Sequence, residues 1–261
     1  MVEIKRISEA RLNYLAGEKG FNILYLEKDY FLTLLLFFLK DIDGLHFKGG
    51  TALNKIFLNH RRLSEDLDFT CNKPINETKA QILKIIEEQK ELFPKAEFLK
   101  QTPNYSRIKV FYNSYQKEGL FLFIDINSKA SVLLKPKKQK VPHFYEEIPG
   151  FESKTLDVKE LVAEKIRALI TRRQPRDYFD AYTIIHKQLK IDLPLVKKKL
   201  KEAGQEFSVE RIFKNANKIY RGWDSEIGSL TNEPIEYKTA ITAIAKHFKY
   251  KKKKKRQLQS G

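Results

Sequence analysis

The sequence predicts an α+β protein, in which a mixed β-sheet with flanking helices is followed by a C-terminal helical bundle. Three observations support this class. Apolar residues recur at helical spacing in residues 6–40, apolar and β-branched runs typical of strands lie between residues 45 and 127, and strand patterns stop near residue 156. We therefore expect a mixed α/β domain over 1–155, a helical bundle domain over 156–250 and a basic, flexible tail over 251–261.

The first domain alternates helical and strand patterns. The segment from Leu26 to Leu39 is apolar on nearly every side, so we expect a buried helix there. Asn76 is a suitable N-cap for a later helix, and Pro94 lies beyond its end. The predicted order is two helices within 6–40, a strand from Leu45, a turn at Gly49 and Gly50, a helix over 51–58, a strand over 67–70, a helix over 76–92 and a β-hairpin that joins 107–113 to 119–127.

The second domain carries only helical patterns. A loop rich in Lys and Pro, over 135–142, separates it from the hairpin. Helices are expected over 157–172, 176–188, 194–203, 208–220 and 235–250.

The composition indicates a folded and strongly basic chain. Hydrophobic residues make up 42% of it, which excludes a disordered polymer. Lys and Arg number 50 against 33 Asp and Glu, so the net charge is +17 and favours an anionic partner. The basic run Lys251–Arg256 has a competing interpretation as a non-specific tail.

The single cysteine, Cys71, excludes an internal disulfide and a thiolate zinc site, which is typical of a reducing compartment. The apolar run Phe31–Leu39 is too short to cross a membrane, and the charged N-terminal segment does not resemble a signal peptide. We expect a cytoplasmic protein without a membrane partner.

Three carboxylates form the candidate metal site. Asp66 and Asp68 are two residues apart on a strand, so their side chains share one face of the sheet. Asp125 ends a second, otherwise apolar strand, where a charge is costly without a counter-charge that a metal would provide. Hard oxygen ligands suit Mg²⁺, which completes its coordination with water and phosphate oxygens. Three such carboxylates can bridge two metal ions for phosphoryl transfer.

A glycine turn precedes these carboxylates. Gly49, Gly50 and Thr51 lie where a strand turns into a helix, so that backbone N–H groups and the Thr51 hydroxyl can bind triphosphate oxygens. Taken singly, a Gly-Gly turn or a pair of aspartates is a weak signal. Their order and spacing make the signal specific.

The segment KGGTALNKIFLNHRRLSEDLDFT, residues 48–70, resembles the first motif of the nucleotidyltransferase superfamily and, within it, the AbiEii abortive-infection toxin family. A second similar block covers 154–182, and the resemblance extends over about residues 20–190. The family pattern R-x-S-x-D-[LIV]-D-[FL] is matched by Arg62, Ser64, Asp66, Leu67, Asp68 and Phe69.

The resemblance implies a nucleotidyltransferase-type sheet and a set of site residues. Thr51 stands where the wider superfamily usually has Ser, a mild departure because either hydroxyl can bind phosphate. Asp177 and Asp180 are both retained as candidates for one active-site carboxylate. The predicted catalytic residues are Asp66, Asp68, Asp125, Lys165 and Asp177 or Asp180, the metal ligands are Asp66, Asp68 and Asp125, and the nucleotide-binding residues are Lys48, Gly49, Gly50, Thr51, Lys55, Arg62, Ser64 and Arg173.

The same resemblance implies transfer of a nucleoside monophosphate from an NTP to an acceptor hydroxyl, with Mg²⁺ or alternatively Mn²⁺. It also implies a toxin of a toxin–antitoxin or phage-defence pair, with an AbiEi-like antitoxin as partner. The basic charge favours RNA as acceptor, in particular the 3′ end of tRNA, bound by Arg172, Arg173 and Arg176.

Three alternatives remain open. In the first, the chain is an enzyme on the same scaffold that transfers the nucleotide to a protein or a small molecule. A non-catalytic protein binds nucleic acid, which the charge of +17 favours but which does not require Asp125 in an apolar strand. A regulator binds nucleotide without turnover.

Overall fold

A seven-stranded mixed sheet is the central element of the computed structural model, which describes residues 4–214 and 216–250. In sheet order the strands are β3-β4-β5-β2-β1-β7-β6. The β2–β5 and β1–β7 pairs are parallel, and the remaining pairs are antiparallel. The strands are β1 (Leu45–Lys48), β2 (Asp66–Cys71), β3 (Lys95–Thr102), β4 (Tyr105–Phe111), β5 (Phe121–Asn127), β6 (Lys137–Lys140) and β7 (Glu152–Thr155).

The N-terminal helices confirm the sequence patterns. Helix α1 (Glu9–Lys19) begins after Ser8, whose hydroxyl accepts a hydrogen bond from the Arg11 N–H. Helix α2 (Ile23–Leu39) is buried along most of its length, because its sequence offers almost no polar face to solvent.

The predicted strand, glycine turn, helix and strand are present in that order. β1 leads into α3 (Gly49–Ala52), which continues as a π-helical segment over Leu53–Phe57 before the chain enters β2. Helix α4 (Ile75–Glu88) follows, and the predicted hairpin is formed by β4 and β5 with Phe111 opposite Phe121.

After β7, every helix or strand in the described part of the chain is a helix, as expected. Helix α5 begins after Asp157, whose carboxylate accepts from the Lys159 N–H. The helix expected over 208–220 is divided, so that prediction is wrong in its bounds. The helices are α5 (Val158–Thr171), α6 (Pro175–His186), α7 (Leu193–Glu202), α8 (Val209–Ile212), α9 (Ala216–Ile227) and α10 (Tyr237–His247).

Three strands were not expected from the sequence. β3 and β6 are the two edges of the sheet and are largely exposed, so their residues need no alternation of apolar and polar side chains. β6 lies within the segment that the Lys- and Pro-rich composition favoured as a loop. β7 has four residues, which is too short to give a periodic signal.

One set of buried apolar side chains connects the sheet with the helices on either side of it in sequence. It includes Leu35 of α2, Ile124 of β5, Ile166 of α5 and Phe179 of α6. The division into domains at residue 155 stays a prediction. In the described part of the chain no helix is long and apolar enough to cross a membrane. The basic run Lys251–Arg256 lies outside the described residues.

Candidate active site

The glycine turn between β1 and α3 brings the backbone against a carboxylate. Gly49 has φ +78°, and a Cβ at this position would collide with the Asp68 carboxylate, so only glycine fits here. A Cβ on Gly50 would lie 3.0 Å from Arg62 Nη2 and 3.8 Å from Lys165 Nζ. The start of α3 therefore faces both a carboxylate and two cations.

Asp66 and Asp68 project from the same face of β2, as the sequence predicts. Burial raises the pKa of Asp66, and it raises the pKa of Asp68 to about 6, with the neighbouring charges of Asp125 and Asp66 adding to the effect. Within residues 4–214 and 216–250, neither carboxylate accepts a hydrogen bond or forms an ion pair. The charges of Lys48 and Lys165 offset only part of this shift for Asp68, so a cation bound directly to both carboxylates would stabilise their ionised forms.

Asp125 lies directly beside Asp68 on the neighbouring strand β5. Both of its oxygens are bound: Arg107 donates from Nε at 2.8 Å and from Nη2 at 2.5 Å, and the Tyr105 hydroxyl donates at 2.6 Å. The Asp125 carboxylate raises the pKa of Arg107 further above its usual range. The expectation that a metal must provide the counter-charge of Asp125 is therefore wrong, because Arg107 provides it.

A buried network of charges stands on the other side of the pocket. Arg62 donates to both carboxylate oxygens of Asp180, each at 2.8 Å, and Lys165 Nζ lies 2.8 Å from Asp180 Oδ2. These two cations hold the pKa of Asp180 well below its usual range. The carboxylate thus fixes two cations that both line the pocket.

Asp177 has a similar role one helical turn earlier. Its carboxylate accepts from Arg172 Nη2 at 2.6 Å and from the Gln174 N–H at 3.0 Å, and it lies 3.5 Å from Lys165 Nζ. The Lys165 and Arg172 charges lower the pKa of Asp177 although burial opposes this. Asp177 and Asp180 therefore both contact Lys165, so this contact does not distinguish between the two candidate carboxylates.

These groups surround one pocket of 80 Å³, which adjoins a second space of 160 Å³. Gly50, Asp68, Lys165 and Arg172 line both. The first pocket is lined in full by Gly50, Thr51, Arg62, Ser64, Glu65, Asp66, Asp68, Lys165, Arg172 and Arg176.

Two hydroxyl groups of the predicted set have partners within the site. The Thr51 hydroxyl donates to the backbone oxygen of Asp66, which ties α3 to the start of β2. Ser64 Oγ accepts from Arg62 Nη1 at 3.0 Å. Lys48 ends β1 opposite Asp68, and its charge opposes the upward pKa shift of Asp68.

Two predicted nucleotide-binding residues lie away from the pocket. Lys55 is 2% exposed and donates to Asp29 at 2.7 Å and to Thr33 at 2.8 Å, so its charge is used inside the core. Arg173 donates to the Ile170 backbone oxygen at 3.1 Å and does not line the pocket. Neither arrangement offers a cation to a nucleotide in this pocket.

The structure adds residues that the sequence analysis did not select. Arg107 and Tyr105 bind Asp125, and the register of the predicted hairpin, with Arg107 opposite Asp125, was the signal for that contact. Glu65 binds Arg176 Nη1 at 2.9 Å, and Arg176 Nε also donates to Glu226 at 2.9 Å.

Asp66 and Asp68 fit a hard divalent cation, since both are oxygen ligands on one strand face and neither is in a direct ion pair with a described residue. Asp125 does not complete a three-carboxylate cluster while Arg107 binds it. Among the described residues, no group of three or more His, Cys, Asp or Glu side chains is placed to hold a metal ion.

Comparisons of the fold identify a class of protein. The chain is similar to MenT4, a nucleotidyltransferase toxin of Mycobacterium tuberculosis, with a TM-score of 0.69 and 19% identity over 93% of this chain and 89% of that one. It is also similar to JHP933 from Helicobacter pylori, with a TM-score of 0.58 and 20% identity over 87% and 92% of the two chains. A putative nucleotidyltransferase from H. pylori gives a TM-score of 0.58 and 22% identity over 86% and 94%. The chain therefore shares the fold of MenT4 and of these two H. pylori proteins.

The family model described as nucleotidyl transferase AbiEii toxin, type IV toxin–antitoxin system, matches residues 33–251. The chain therefore belongs to the AbiEii nucleotidyltransferase toxin family. This confirms the family that the two sequence blocks indicated. No curated protein sequence matches the chain.

Proposed function

We propose that the protein transfers a nucleoside monophosphate from an NTP to a hydroxyl group of RNA, specifically at the 3′ end of tRNA, and releases pyrophosphate. One observation carries the proposal: the unpaired carboxylates of Asp66 and Asp68 share a pocket with the cations Arg62 and Lys165. A nucleotide triphosphate has the charge that these cations can bind, and its metal complex supplies the charge that the carboxylates need.

The glycine turn and the cations would bind the triphosphate. N–H groups at the start of a helix can bind phosphate oxygens, and Gly50 has no side chain between the α3 backbone and the cations Arg62 and Lys165. Asp180 and Asp177 would act as positioning residues, because they hold Arg62, Lys165 and Arg172 rather than face the pocket themselves.

Asp66 and Asp68 would hold Mg²⁺, or Mn²⁺ in its place, which would neutralise charge on the transferred phosphate and activate the acceptor hydroxyl. Asp125 lies next to Asp68 in the sheet, and it would join them as a third carboxylate only by exchanging its bonds to Arg107 for bonds to the metal. Catalysis would then depend on positioning and charge stabilisation more than on an acid and base pair.

The acceptor and the protein partner follow from charge and family. A net charge of +17 exceeds what an NTP requires and suits a polyanion such as RNA. Membership of a toxin–antitoxin family supports an AbiEi-like antitoxin as partner and a cytoplasmic location.

The test is incubation of the protein with each labelled NTP in turn, Mg²⁺ and total cellular RNA. We expect the label in RNA of tRNA size, and none when EDTA replaces Mg²⁺ or when Asp66→Asn and Asp68→Asn are combined. Asp43→Asn is the matched control, since Asp43 is an exposed carboxylate paired with Lys73 and should leave transfer unchanged.

Each other outcome identifies one alternative. Label on protein or on a small molecule contradicts RNA as acceptor. RNA binding without label from any NTP indicates a non-catalytic binding protein. Transfer by the double variant at the wild-type rate contradicts the assignment of Asp66 and Asp68.

A further inference from the structure

A larger pocket of 470 Å³ continues the active-site cleft on the far side of Asp68. It adjoins the space that Gly49, Gly50 and Asp68 line, because Lys48, Glu164 and Arg167 belong to both. The three pockets thus form a series that begins at Ser64 and Asp66 and ends at the loop after β5.

The walls of this pocket come from the sheet and from the helices. Asn127 is the last residue of β5 and lies two residues after Asp125, so the two side chains share one face of the strand. Lys129 belongs to the loop that follows, and Arg167 to α5. The pocket is therefore adjacent to the proposed third carboxylate.

Three cations of this pocket form no close ion pair, although the charges of Lys48 and Arg167 help to lower the pKa of Glu164. Lys48, Lys129 and Arg167 form no ion pair and no side-chain hydrogen bond to any residue in 4–214 or 216–250. The carboxylates in the same pocket are already bound: Glu164 contacts Lys199 at 3.2 Å, and Glu202 accepts from the Ser131 hydroxyl. The pocket therefore has spare positive charge.

The three arginines that the sequence analysis favoured for RNA binding already have partners within the protein. Arg172 is bound by Asp177, Arg176 by Glu65 and Glu226, and Arg173 donates to a backbone oxygen. The unpaired positive charge beside the site is instead in the larger pocket. It continues onto the exposed side chains of Lys197, Lys198 and Lys201 on α7.

The in-line geometry of phosphoryl transfer bears on where the two substrates lie along this series of pockets. In phosphoryl transfer the attacking and leaving oxygens lie roughly in line on opposite sides of the phosphorus. If the leaving pyrophosphate is held near Arg62 and the transferred phosphate near Asp66 and Asp68, the attacking hydroxyl would approach from the side of Asp68 that faces away from Arg62. That side opens into the larger pocket.

From these observations we propose that the larger pocket binds the phosphodiester backbone of the RNA acceptor, with Lys48, Arg167 and Lys129 contacting successive phosphates. This inference rests on the proposed function and assigns its acceptor surface. The exposed lysines of α7 add positive charge outside the pocket, which favours a strand over an NTP as the occupant.

The experiment compares Lys129→Gln/Arg167→Gln with a control of equal charge, Lys84→Gln/Lys117→Gln, whose lysines are exposed and line none of these three pockets. The probe is bulk tRNA, and affinity is measured over a range of salt concentrations. We expect roughly tenfold weaker tRNA binding, with a slope of log K against log salt that is shallower by about 0.7 to 0.9 for each lost contact. NTP affinity should stay within twofold of wild type.

A second measurement does not depend on the fold of the Arg167 variant. Lys129 is exposed, so its acetylation by a small reagent can be followed by mass spectrometry in the wild-type protein. We expect tRNA to protect Lys129 and NTP with Mg²⁺ to leave it reactive.

Several results would overturn the proposal. Unchanged tRNA affinity in the double variant would contradict RNA binding at the larger pocket. If NTP affinity also fell, the pocket would be assigned to the triphosphate instead. A wild-type protein that binds no RNA would overturn both this inference and the proposed function. If the wild-type protein transfers nucleotide to RNA and the double variant binds tRNA with wild-type affinity, this inference alone would be overturned.

Discussion

Arg62 donates to both carboxylate oxygens of Asp180, each at 2.8 Å, although the two residues are 118 apart in the sequence. Arg62 is 3% exposed and Asp180 is fully buried. The pair joins the segment before β2 to α6, and Lys165 of α5 contacts the same carboxylate. Each buried charge therefore depends on the others for compensation, and the pocket depends on all three for its shape.

Replacement of Asp180 by Ala should destabilise the protein strongly. It leaves Arg62 and Lys165 buried without that carboxylate, which should lower the free energy of unfolding by about 3 to 5 kcal/mol. Because the folded-state pKa of Asp180 lies below its unfolded value, the contribution is present above pH about 4 and is lost as pH falls through the folded pKa. Urea unfolding at pH 7 and pH 5 should therefore give the same large difference.

The control for this prediction is Asp43→Ala. Asp43 is an exposed carboxylate that pairs with Lys73, and exposed pairs contribute little. If the two variants unfold at the same urea concentration, the buried network does not support the fold as described.

Asp68→Asn should have the opposite sign and stabilise the metal-free protein. Burial raises the pKa of Asp68 from 3.8 to about 6, so its ionised form destabilises the folded state. The difference corresponds to at most about 3 kcal/mol. The increase in the free energy of unfolding should be complete above about pH 6. It should decrease as the pH falls from about 6 to about 4 and vanish below that.

Thermal unfolding in EDTA at pH 7.5 and at pH 4 measures this effect. Mg²⁺ at pH 7.5 should then raise the melting temperature of the wild type but not of Asp68→Asn, because a ligand of the folded state stabilises it. A variant that is less stable than wild type at pH 7.5 would indicate that Asp68 has a partner that stabilises it.

The sequence predicted the parts of the fold that depend on local periodicity or on a specific turn. The buried α2, the unit from Leu45 to Cys71 and the hairpin of β4 with β5 are of this kind. The edge strands β3 and β6 could not be found in this way, because exposed strands carry no apolar alternation. The register of the predicted hairpin could have paired Arg107 with Asp125, whereas Arg62 and Asp180 were hidden because they meet only through the packing of α6.

Asp125→Asn should reduce nucleotide transfer more than nucleotide affinity. Asp125 lies beside Asp68, yet it does not line the pocket that contains Gly50 and Lys165. Arg107→Ala leaves Asp125 in place and removes the cation that orients it, while the Tyr105 hydroxyl remains. Outer partners of this kind typically contribute 10- to 100-fold, so roughly that loss is expected in single-turnover transfer. Equilibrium binding of labelled NTP should change less than threefold in both variants. A loss of NTP affinity as large as the loss of rate would instead place Asp125 in nucleotide binding.

Ser64 provides a test of the electrostatics of the pocket. Its side chain is 6% exposed, lines the pocket and precedes Asp66 by two residues. Ser64 Oγ accepts from Arg62 Nη1, which also donates to the Leu63 backbone oxygen at 2.8 Å. Ser64→Ala removes one acceptor from a group that retains another, so transfer should stay within about threefold of wild type.

Ser64→Glu adds a negative charge beside Asp66 and within reach of Arg62. A carboxylate at this position would compete with the triphosphate for the Arg62 guanidinium. It would also repel the negatively charged triphosphate, so NTP affinity should fall by roughly tenfold or more. Ser64→Gln is the matched control, because it has nearly the same volume without the charge. Its NTP affinity should lie well above that of the Glu variant, and the difference between the two should narrow as salt screens the charge. Equal losses for Glu and Gln at all salt concentrations would mean that the size of the side chain, and not its charge, excludes the nucleotide.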